Sequence, residues 1–407
     1  MGPSVVLAVV VMSGCAGEIS GAGQVDGDGA PIGDVDGGNP GDLDGGVPAS
    51  DELYAEDSFP RFDLELPAES IAALEGAPDQ YARGTLRYGD EVVANIGVRL
   101  KGEYTFRPIT QKASFKLKFD ELVPGQMFRG LRRMTLNNGF EDPSLVAERL
   151  VYHAFRGAGL PAPRCNNAQV YVNGENYGIY VNIETEDKTF LRRWFASEDG
   201  NLYEELGSDW LPGNEYAFEL ETNETVNDRS DLTALFAAIA AAGDATLMSD
   251  VAAIVDTDRF LAYSAMEGIV NQWDGYAYTQ FGPNNYRIYH DPATGHFSVL
   301  PWGMDMSMKP YGGNPYVDLG SPAGHLLARC VASASCLAAY RAVVTEQIDL
   351  FESFALDAVA EAAYAQIRAA VYADPRKEHS NATFDAAYGT VLDFVRDRPD
   401  AARAQLP

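Results

Sequence analysis

The sequence is poor in cysteine, in basic residues and in motifs for metal or nucleic-acid binding. Its 407 residues include four cysteines and no C-x-x-C pair, which excludes a disulfide-rich scaffold and a cysteine-based zinc site. Lys and Arg number 30 against 59 Asp and Glu, so the net charge is −29, and no run of basic residues occurs. Because this charge repels a polyphosphate backbone, nucleic acid is not an expected partner.

Signatures of hydrolytic chemistry are absent as well. The five histidines show no paired metal-ligand spacing, and the sequence has no Gly-x-Ser-x-Gly elbow. Aromatic residues, in contrast, are plentiful, with 19 Phe, 21 Tyr and 4 Trp. A chain of this length with so many aromatic side chains can bury a large core, so we expect a globular protein.

The longest apolar run lies at the N-terminus. Residues 3–12 read PSVVLAVVVM, which is too short to span a bilayer and is typical of a signal-peptide core, although no Lys or Arg precedes it. Ser13 and Gly14 directly before Cys15 resemble a bacterial lipobox. We therefore expect residues 1–15 to be a signal peptide with lipidation at Cys15; an ordinary secretory signal is the alternative.

Residues 16–50 differ from the rest of the chain in composition. They contain eleven glycines, seven acidic residues and no basic or aromatic residue, so they cannot bury enough apolar surface to fold. We expect a flexible tether. The predicted location is the cell envelope, at the outer membrane in a Gram-negative cell, or the extracellular medium, with membrane contact only through a lipid at Cys15.

The remaining residues predict an α+β fold. Alternation of apolar and polar residues predicts an antiparallel sheet over residues 51–119, and Asn173-Gly174 predicts a further hairpin. Helices are predicted after the Asp142-Pro143-Ser144 start signal, over 228–270 and over 337–407, with one hairpin between the last two. Strands followed by helices with an inserted hairpin form an α+β order.

Residues 271–308 hold the most informative acidic groups. Asp274 ends a predicted helix, Asn285 precedes a predicted strand, and Asp305 follows the next strand. One hairpin would bring these oxygen ligands together, and such a set suits Mg²⁺. The alternative is structural, because Asp274 begins a turn signal and Asn285 lies at a strand start.

Six of the 30 basic residues lie within the twenty positions 99–118 of the N-terminal sheet, and five of them form the candidate cluster. Cations facing an acidic metal site would hold the phosphates of a nucleotide. The alternative is the solvated face of a strand. The cluster consists of Arg99, Lys101, Lys112, Lys116 and Lys118.

Eight motifs, in this order and at these spacings, resemble the CotH family of spore-coat-type atypical protein kinases. The resemblance spans residues 53–406 and implies a minimal protein-kinase-like two-lobe fold. The N-terminal sheet lobe would cover about 51–185, and a mostly helical lobe over about 186–407 would carry the metal site on an inserted hairpin. The motifs are RLKG, KASFKLKF, GLRRMTLNN, DPSLVAERL, YVNGENYGIYVNIE, WDG, NNYRIY and PWGMD.

The resemblance implies that the protein uses ATP and Mg²⁺ or Mn²⁺ to phosphorylate Ser or Thr of a protein substrate. Asp274 corresponds to the catalytic aspartate and to a possible metal contact. Asp305 and Asn285 correspond to metal ligands. We expect a monomer whose acceptor is another protein.

The resemblance also suggests ATP-binding residues. Lys116 is the first choice for contacting the phosphates, and Lys101 and Lys112 are alternatives. Glu184 would lie near the adenine. Glu148 would orient the lysine, unless it is simply an exposed residue of its helix.

One departure from the family pattern leaves a second function open. Many members carry PWDxD, whereas Gly303 here replaces the first aspartate. The alternative is a catalytically inactive relative that serves as a surface or coat-assembly binding protein. A carbohydrate-associated surface, suggested by Tyr-rich segments, is a third hypothesis.

Three further cysteines lie in the globular part. Cys330 and Cys336 are close enough in sequence to form a small-loop disulfide in an oxidising compartment. Cys165 would then be a free thiol.

Overall fold

Seven strands of the described chain form a closed barrel. The structure is a computed structural model, and it describes residues 49–406. Around the barrel the order is β1–β2–β3–β4–β5–β7–β6. Neighbouring strands are antiparallel except β1 and β6, whose parallel pairing closes the barrel. The strands are β1 (Arg61–Glu65), β2 (Ala82–Tyr88), β3 (Glu91–Lys101), β4 (Ser114–Lys118), β5 (Arg133–Asn137), β6 (Cys165–Val172) and β7 (Glu175–Glu184).

Strand β4 shows how the alternating sequence builds the barrel. Phe115 and Leu117 are fully buried in the barrel core. Lys116 and Lys118 point to the other side of the strand and remain partly exposed. The predicted sheet is therefore present, but its edges meet and one of its pairings is parallel, which the sequence pattern did not predict.

The turn between β6 and β7 matches the predicted Asn-Gly hairpin. Asn173 and Gly174 have φ angles of 50° and 83°, in the left-handed region that this two-residue turn requires. Asn173 also exchanges two hydrogen bonds with the backbone of Leu66: its Oδ1 accepts at 2.7 Å and its Nδ2 donates at 2.8 Å. The turn is thereby tied to the end of β1.

The hairpin predicted between the helical regions is one half of a larger sheet. Strands β10 (Tyr286–Asp291) and β11 (His296–Pro301) pair antiparallel. Strand β8 (Asn201–Glu205) pairs with β10, and β9 (Phe218–Leu220) pairs with β8, so the order is β11–β10–β8–β9. The sequence pattern does not predict β8 and β9, because β9 is only three residues long and loops separate both strands from other strand signals.

Ten helices of the described residues complete the fold, and the mixture of sheets and helices confirms the α+β class. A large apolar core joins α2 to the C-terminal helices and the second sheet. The helices are α1 (Ala68–Gly76), α2 (Ala147–Gly157), α3 (Lys188–Trp194), α4 (Ser230–Ala241), α5 (Leu247–Val251), α6 (Thr257–Ile269), α7 (His325–Ala332), α8 (Ala334–Ser353), α9 (Leu356–Tyr372) and α10 (Asn381–Ala404).

A disulfide links α7 to α8. Cys330 and Cys336 are bonded, with their Cα atoms 5.1 Å apart. Cys165 is a buried free thiol in β6.

The predicted signal peptide over 1–15, the Cys15 lipidation site and nearly all of the predicted 16–50 tether lie outside the described residues. Ser50 is described and buried, and its Oγ accepts a hydrogen bond from Arg164 at 3.1 Å. Within residues 49–406, no single helix is both long and apolar enough to cross a membrane. The pair α7 and α8 meets those criteria only when joined across a 110° bend.

Candidate active site

A cleft of about 1380 Å³ lies between the barrel and the second sheet. Such a volume is sufficient to enclose a small-molecule ligand. Strands β3 and β4, the loop that follows β3, and α2 form one wall. The ends of β8 and β9 and the segments 274–285 and 302–306 form the other.

Asp274 lines this cleft from the loop that follows α6. Its carboxylate accepts hydrogen bonds from Nδ2 of Asn284 at 3.2 Å and from Nδ2 of Asn285 at 2.6 Å. The loop turns back on itself, since Asp274 pairs with Thr279, and this brings residues ten positions apart into contact. Burial raises the pKa of Asp274, and the negative charge of Asp305 raises it further. The hydrogen bonds from the two amides lower this pKa and offset part of the rise.

Asp305 lies in a short 3-10 turn, Met304–Met306, directly after β11. No donor among residues 49–406 hydrogen-bonds to its carboxylate. The charge of Asp305 acts on Asp274, Glu148 and Lys101, and all four of these groups line the cleft. Lys309 holds the turn in place, because its Nζ donates to the carbonyl oxygen of Asp305 at 3.1 Å.

Gly303 and Asn285 contact each other closely. Gly303 has φ +58° and Asn285 has φ 49°, so both adopt the left-handed conformation. A Cβ atom at Gly303 would lie 2.4 Å from Oδ1 of Asn285. An aspartate side chain at position 303 therefore does not fit beside Asn285 as Asn285 stands here.

Glu148 is 1% exposed, so the expectation of an exposed helical residue is wrong. Its face of α2 packs towards β5, where Nδ2 of Asn137 donates to its Oε2 at 3.3 Å. Burial, together with the negative charge of Asp305, raises the pKa of Glu148 to about 8, while the charge of Lys101 lowers it. Burial lowers the pKa of Lys101, although the negative charges of Glu148 and Asp305 raise it. The structure thus brings Lys101, Glu148 and Asp305 together.

Lys116 lines the same cleft from the neighbouring strand β4. Burial lowers the pKa of Lys116 to about 8, although the negative charges of Glu221 and Glu204 raise it. The positive charges of Arg287 and Arg99 lower it further. The Nζ atom of Lys116 has no hydrogen bond or ion pair within 4 Å among the residues that the structure describes, and the same is true of the Nζ atom of Lys101.

Trp302 connects the two lysines. The Nζ atoms of Lys101 and Lys116 lie 5.5 Å and 5.9 Å from its ring centroid, and the guanidinium of Arg287 lies at 4.1 Å. Cations at these distances are attracted to the negative face of the ring. Trp302 is 8% exposed and therefore gives the cations a nearly dry surface on one side.

Sequence reasoning missed the network around Arg287. This guanidinium is fully buried and lies within ion-pair distance of Glu186, Glu204 and Glu221. The available signal was the charged residue between Tyr286 and Ile288 in an otherwise apolar strand, because a buried charge requires partners. The glutamates themselves carried no such signal.

Lys112 does not reach the cleft. Its Nζ donates to Oδ2 of Asp374 at 2.7 Å, and both side chains are buried. Asp374 also accepts a hydrogen bond from the backbone N–H of Ile179. Lys112 therefore joins the barrel to the residues that follow α9, because a buried lysine needs a carboxylate partner.

Glu184 is also held outside the cleft. Its carboxylate receives hydrogen bonds at 2.8 Å from Arg164 and from Arg193. The neighbouring Ile183, in contrast, lines the cleft. Since side chains alternate along β7, the two residues point to opposite sides of the strand.

The oxygen ligands present in the cleft suit a hard divalent cation. Asp274, Asp305 and the amide of Asn285 offer oxygen ligands, and Mg²⁺ typically takes one or two carboxylates and completes its shell with water and phosphate. The like charge that raises the pKa of Asp274 is the kind of repulsion that a bound cation relieves. Within residues 49–406 no group of three or more His, Cys, Asp or Glu side chains forms a metal site by itself.

The model of the family described as CotH kinase protein matches residues 98–402. The inner spore coat protein H of Bacillus subtilis (strain 168) is 26% identical over 312 residues, which cover 73% of this chain and 83% of that protein. Invasin CotH3 of Rhizopus delemar is 25% identical over 253 residues, which cover 53% of this chain and 42% of that protein.

Two solved structures show a distant likeness. The complex of the Shewanella oneidensis MR-1 toxin–antitoxin system HipA, HipB and its operator DNA contains a chain with 12% identity. The match covers 84% of this chain and 74% of that chain, with a TM-score of 0.33. The Helicobacter pylori proinflammatory kinase CtkA has 10% identity over 81% of this chain and 93% of its own, with a TM-score of 0.28.

Proposed function

Because the chain belongs to the CotH kinase protein family, we propose that it transfers the γ-phosphate of ATP to Ser or Thr hydroxyls of a protein. The observation that carries this proposal is the grouping of Asp274, Asn285 and Asp305 in one cleft with Lys101 and Glu148. Phosphoryl transfer needs cations for the phosphates, a metal site and a carboxylate for the acceptor hydroxyl. The cleft lysines, the oxygen ligands and the carboxylate of Asp274 support the proposal because they match these three requirements.

We assign to Asp274 the role of the base that accepts the proton of the acceptor hydroxyl. Asn285 and Asn284 both donate to its Oδ2, whereas Oδ1 receives only the longer bond from Asn284. Oδ1 is therefore the freer oxygen and would accept the hydroxyl proton of the substrate. The two amides would keep the carboxylate from rotating, which preserves its alignment with the attacking oxygen.

Asp305 and Asn285 would hold Mg²⁺ or Mn²⁺, with Asp274 as a further contact. The cation, when bound, supplies positive charge to the phosphate oxygens and orients the terminal phosphate. Gly303 leaves the oxygen of Asn285 room at this position. The single aspartate of the PWGMD motif would thus be sufficient in this chain.

The two cleft lysines would bind the phosphates. Lys101 faces Asp305 and Glu148, so we place it nearest the reacting phosphate, with Glu148 orienting it. Lys116, the first choice from the sequence, faces Glu204 and Glu221 and would contact the nucleotide farther from Asp305. Both ammonium groups have donors free of protein partners within residues 49–406.

The test is the transfer of radiolabelled phosphate from ATP to a general protein acceptor such as casein, with Mg²⁺ or Mn²⁺. We expect Asp274→Asn and Asp305→Asn to lower the label by about 100-fold or more, as for loss of a catalytic carboxylate or metal ligand. The control is Asp231→Asn, a carboxylate with 12% side-chain exposure that binds His290, far along β10 from the cleft. Equal labelling by wild type and Asp305→Asn would refute the proposal.

A second candidate function is a non-catalytic surface or coat-assembly protein, and Gly303 is the observation that favours it. Thermal denaturation separates the two functions, because a ligand that binds the folded state raises the melting temperature by mass action. A kinase should be stabilised by ATP together with Mg²⁺ or Mn²⁺. A protein that only binds partners should not respond.

The remaining proposals concern location and partners. We propose an exported protein that is anchored to the cell envelope by a lipid at Cys15 and acts as a monomer on another protein. Labelling cells with a radioactive fatty acid tests the anchor. Incorporation that is equal in wild type and Cys15→Ser would refute it.

A further inference from the structure

A buried glutamate lies directly beneath the loop that carries Asp274. Glu267 is fully buried near the end of α6, and its Oε1 accepts hydrogen bonds from the backbone N–H groups of Ala277 at 2.8 Å and Tyr278 at 3.0 Å. Hydrogen bonds to a carboxylate are roughly twice as strong as those between neutral groups. Water does not compete for them at a fully buried site. Glu267 therefore fastens the loop to the helix that precedes it.

Backbone hydrogen bonds continue from Glu267 to Asp274. The N–H of Tyr278 is held by Glu267, and its carbonyl oxygen accepts from the N–H of Gly275 at 3.3 Å. Asp274 itself pairs with Thr279 across the same turn. A shift of the Tyr278 backbone would consequently displace the Asp274 carboxylate.

Gly275 shows how closely this carboxylate approaches the loop. A Cβ atom at Gly275 would lie 2.3 Å from Oε1 of Glu267. Its φ is not in the left-handed region, so space and not backbone conformation requires glycine here. The glycine of the WDG motif is therefore required by the close approach of Glu267.

Stability of the fold alone does not account for a carboxylate at this position. The Oε2 atom of Glu267 has no partner of ordinary hydrogen-bond geometry among the described residues, although the hydroxyl of Tyr263 is near enough to lower the pKa of this carboxyl. A buried carboxylate with one unpaired oxygen is costly, and an apolar or amide side chain of similar volume is usually the more stable choice. We therefore attribute the presence of a carboxylate at position 267 to the strength and direction of its hydrogen bonds to the loop.

We propose that Glu267 is a positioning residue, which acts on phosphoryl transfer by holding the 274–279 loop so that Asp274 meets the acceptor hydroxyl. This inference rests on the proposed kinase function. Glu267 does not line the cleft. Its loss should therefore lower kcat and leave KM for ATP nearly unchanged.

Two variants of the full-length protein test this role. Glu267→Leu keeps the volume and removes both acceptors, and we expect kcat to fall by about 100-fold, the loss that a misplacement of about 1 Å can cause. Glu267→Gln keeps one acceptor oxygen and should restore kcat to within about fivefold of wild type. KM for ATP should change by less than about twofold in both, because the cleft lysines are untouched.

Hydrogen exchange gives a second readout that does not depend on catalysis. The N–H groups of Ala277 and Tyr278 should exchange slowly in wild type and in Glu267→Gln, and fast in Glu267→Leu. Asp231→Asn is the matched control, because it also weakens a carboxylate that binds a backbone N–H, that of Leu232 at 2.8 Å. It should leave both the kcat and the exchange of these two amides unchanged.

The outcomes separate the two proposals. Unchanged exchange and unchanged kcat in folded Glu267→Leu would overturn the positioning role, and an equal loss of kcat in Asp231→Asn would assign the effect to general destabilisation and overturn it too. If Glu267→Leu does not fold, Gly275→Ala displaces the same carboxylate, and unchanged kcat and exchange there would overturn the role. If wild type transfers no phosphate, the kinase proposal fails, and the exchange measurement still decides whether Glu267 holds the loop.

Discussion

Lys112 and Lys101 lie eleven positions apart in neighbouring parts of the barrel, yet their surroundings differ. Lys112 is 5% exposed, and its Nζ lies 2.7 Å from a carboxylate of Asp374 that is itself fully buried. Lys101 has no ion pair within 4 Å among residues 49–406; it lies 5.5 Å from the Trp302 ring and near the charges of Glu148 and Asp305. A paired buried lysine stabilises the fold, whereas one with free donors in a cleft is available to a ligand. The difference lies in the partner and not in the residue type.

The largest effect should appear in the stability of Lys112 variants. Lys112→Met leaves Asp374 buried without its partner, and we expect the free energy of unfolding to fall by about 3–5 kcal/mol. Lys101→Met removes no ion pair and should change it by less than about 1 kcal/mol. Urea denaturation measures both values. Equal losses would show that the two lysines do not differ as described.

The next effect reverses the order of the two lysines. Lys101→Met should weaken the binding of ATP with Mg²⁺ by about 10- to 150-fold, since hydrogen bonds to charged groups contribute about 1.5–3 kcal/mol. Lys112→Met, measured at a temperature where it is folded, should bind as wild type does. Titration with a fluorescent ATP analogue gives the affinities. If only Lys112→Met bound ATP more weakly, Lys112 and not Lys101 would be the lysine that contacts the nucleotide.

A third prediction applies the comparison to two glycines with positive φ. Gly295, in the β10–β11 turn, has φ +77° and open space around its Cβ position, so alanine there should cost only the left-handed conformation, about 1–2 kcal/mol. Gly303→Ala should cost more, because its Cβ meets Asn285. Adding Asn285→Gly should remove the excess. An equal cost at both glycines, measured by urea denaturation, would mean that Asn285 does not restrict this position.

The smallest effect is a pH dependence at Lys116. Its pKa of about 8 is set by burial and by the facing groups Glu221, Glu204, Arg287 and Arg99. ATP should bind with constant affinity below about pH 8 and more weakly above it, as the amine loses its proton. Lys116→Arg, which stays charged, should abolish the decline. An identical decline in Lys116→Arg would assign it to another group.

The same group has an opposite effect on stability. Because its folded pKa lies below the unfolded value, the unfolded state binds more protons between about pH 8 and 10.5. The contribution of Lys116 to the free energy of unfolding therefore rises with pH across that window. Denaturation of Lys116→Arg beside wild type would reveal this rise as a difference between the two curves.

Local features of the fold were predictable from the sequence, and its closure was not. Asn173-Gly174 predicts its hairpin, and Asp142-Pro143-Ser144 predicts the helix that follows, because turn and cap preferences act within a few residues. The parallel pairing of β1 with β6 joins residues about 100 positions apart, such as Phe62 and Val170. Periodicity does not determine which distant strands pair.

Prediction of the site had the same limit. Asp274, Asn285 and Asp305 lie on one short stretch of chain, and the structure brings Asp274 and Asn285 into contact. Lys112 was placed with Lys101 because the two are close in sequence, but its partner Asp374 comes from 262 positions away. Glu267 carried no signal, since an acidic residue within a helix is ordinarily exposed.

The closed barrel also bears on how the domain can be shortened. The family match begins at residue 98, within β3, and so omits β1 and β2. A protein trimmed to that match would leave the outer edges of β3 and β6 without neighbours. Unpaired strand edges recruit other chains, so such a fragment should aggregate on expression. A soluble fragment would have to begin before Arg61.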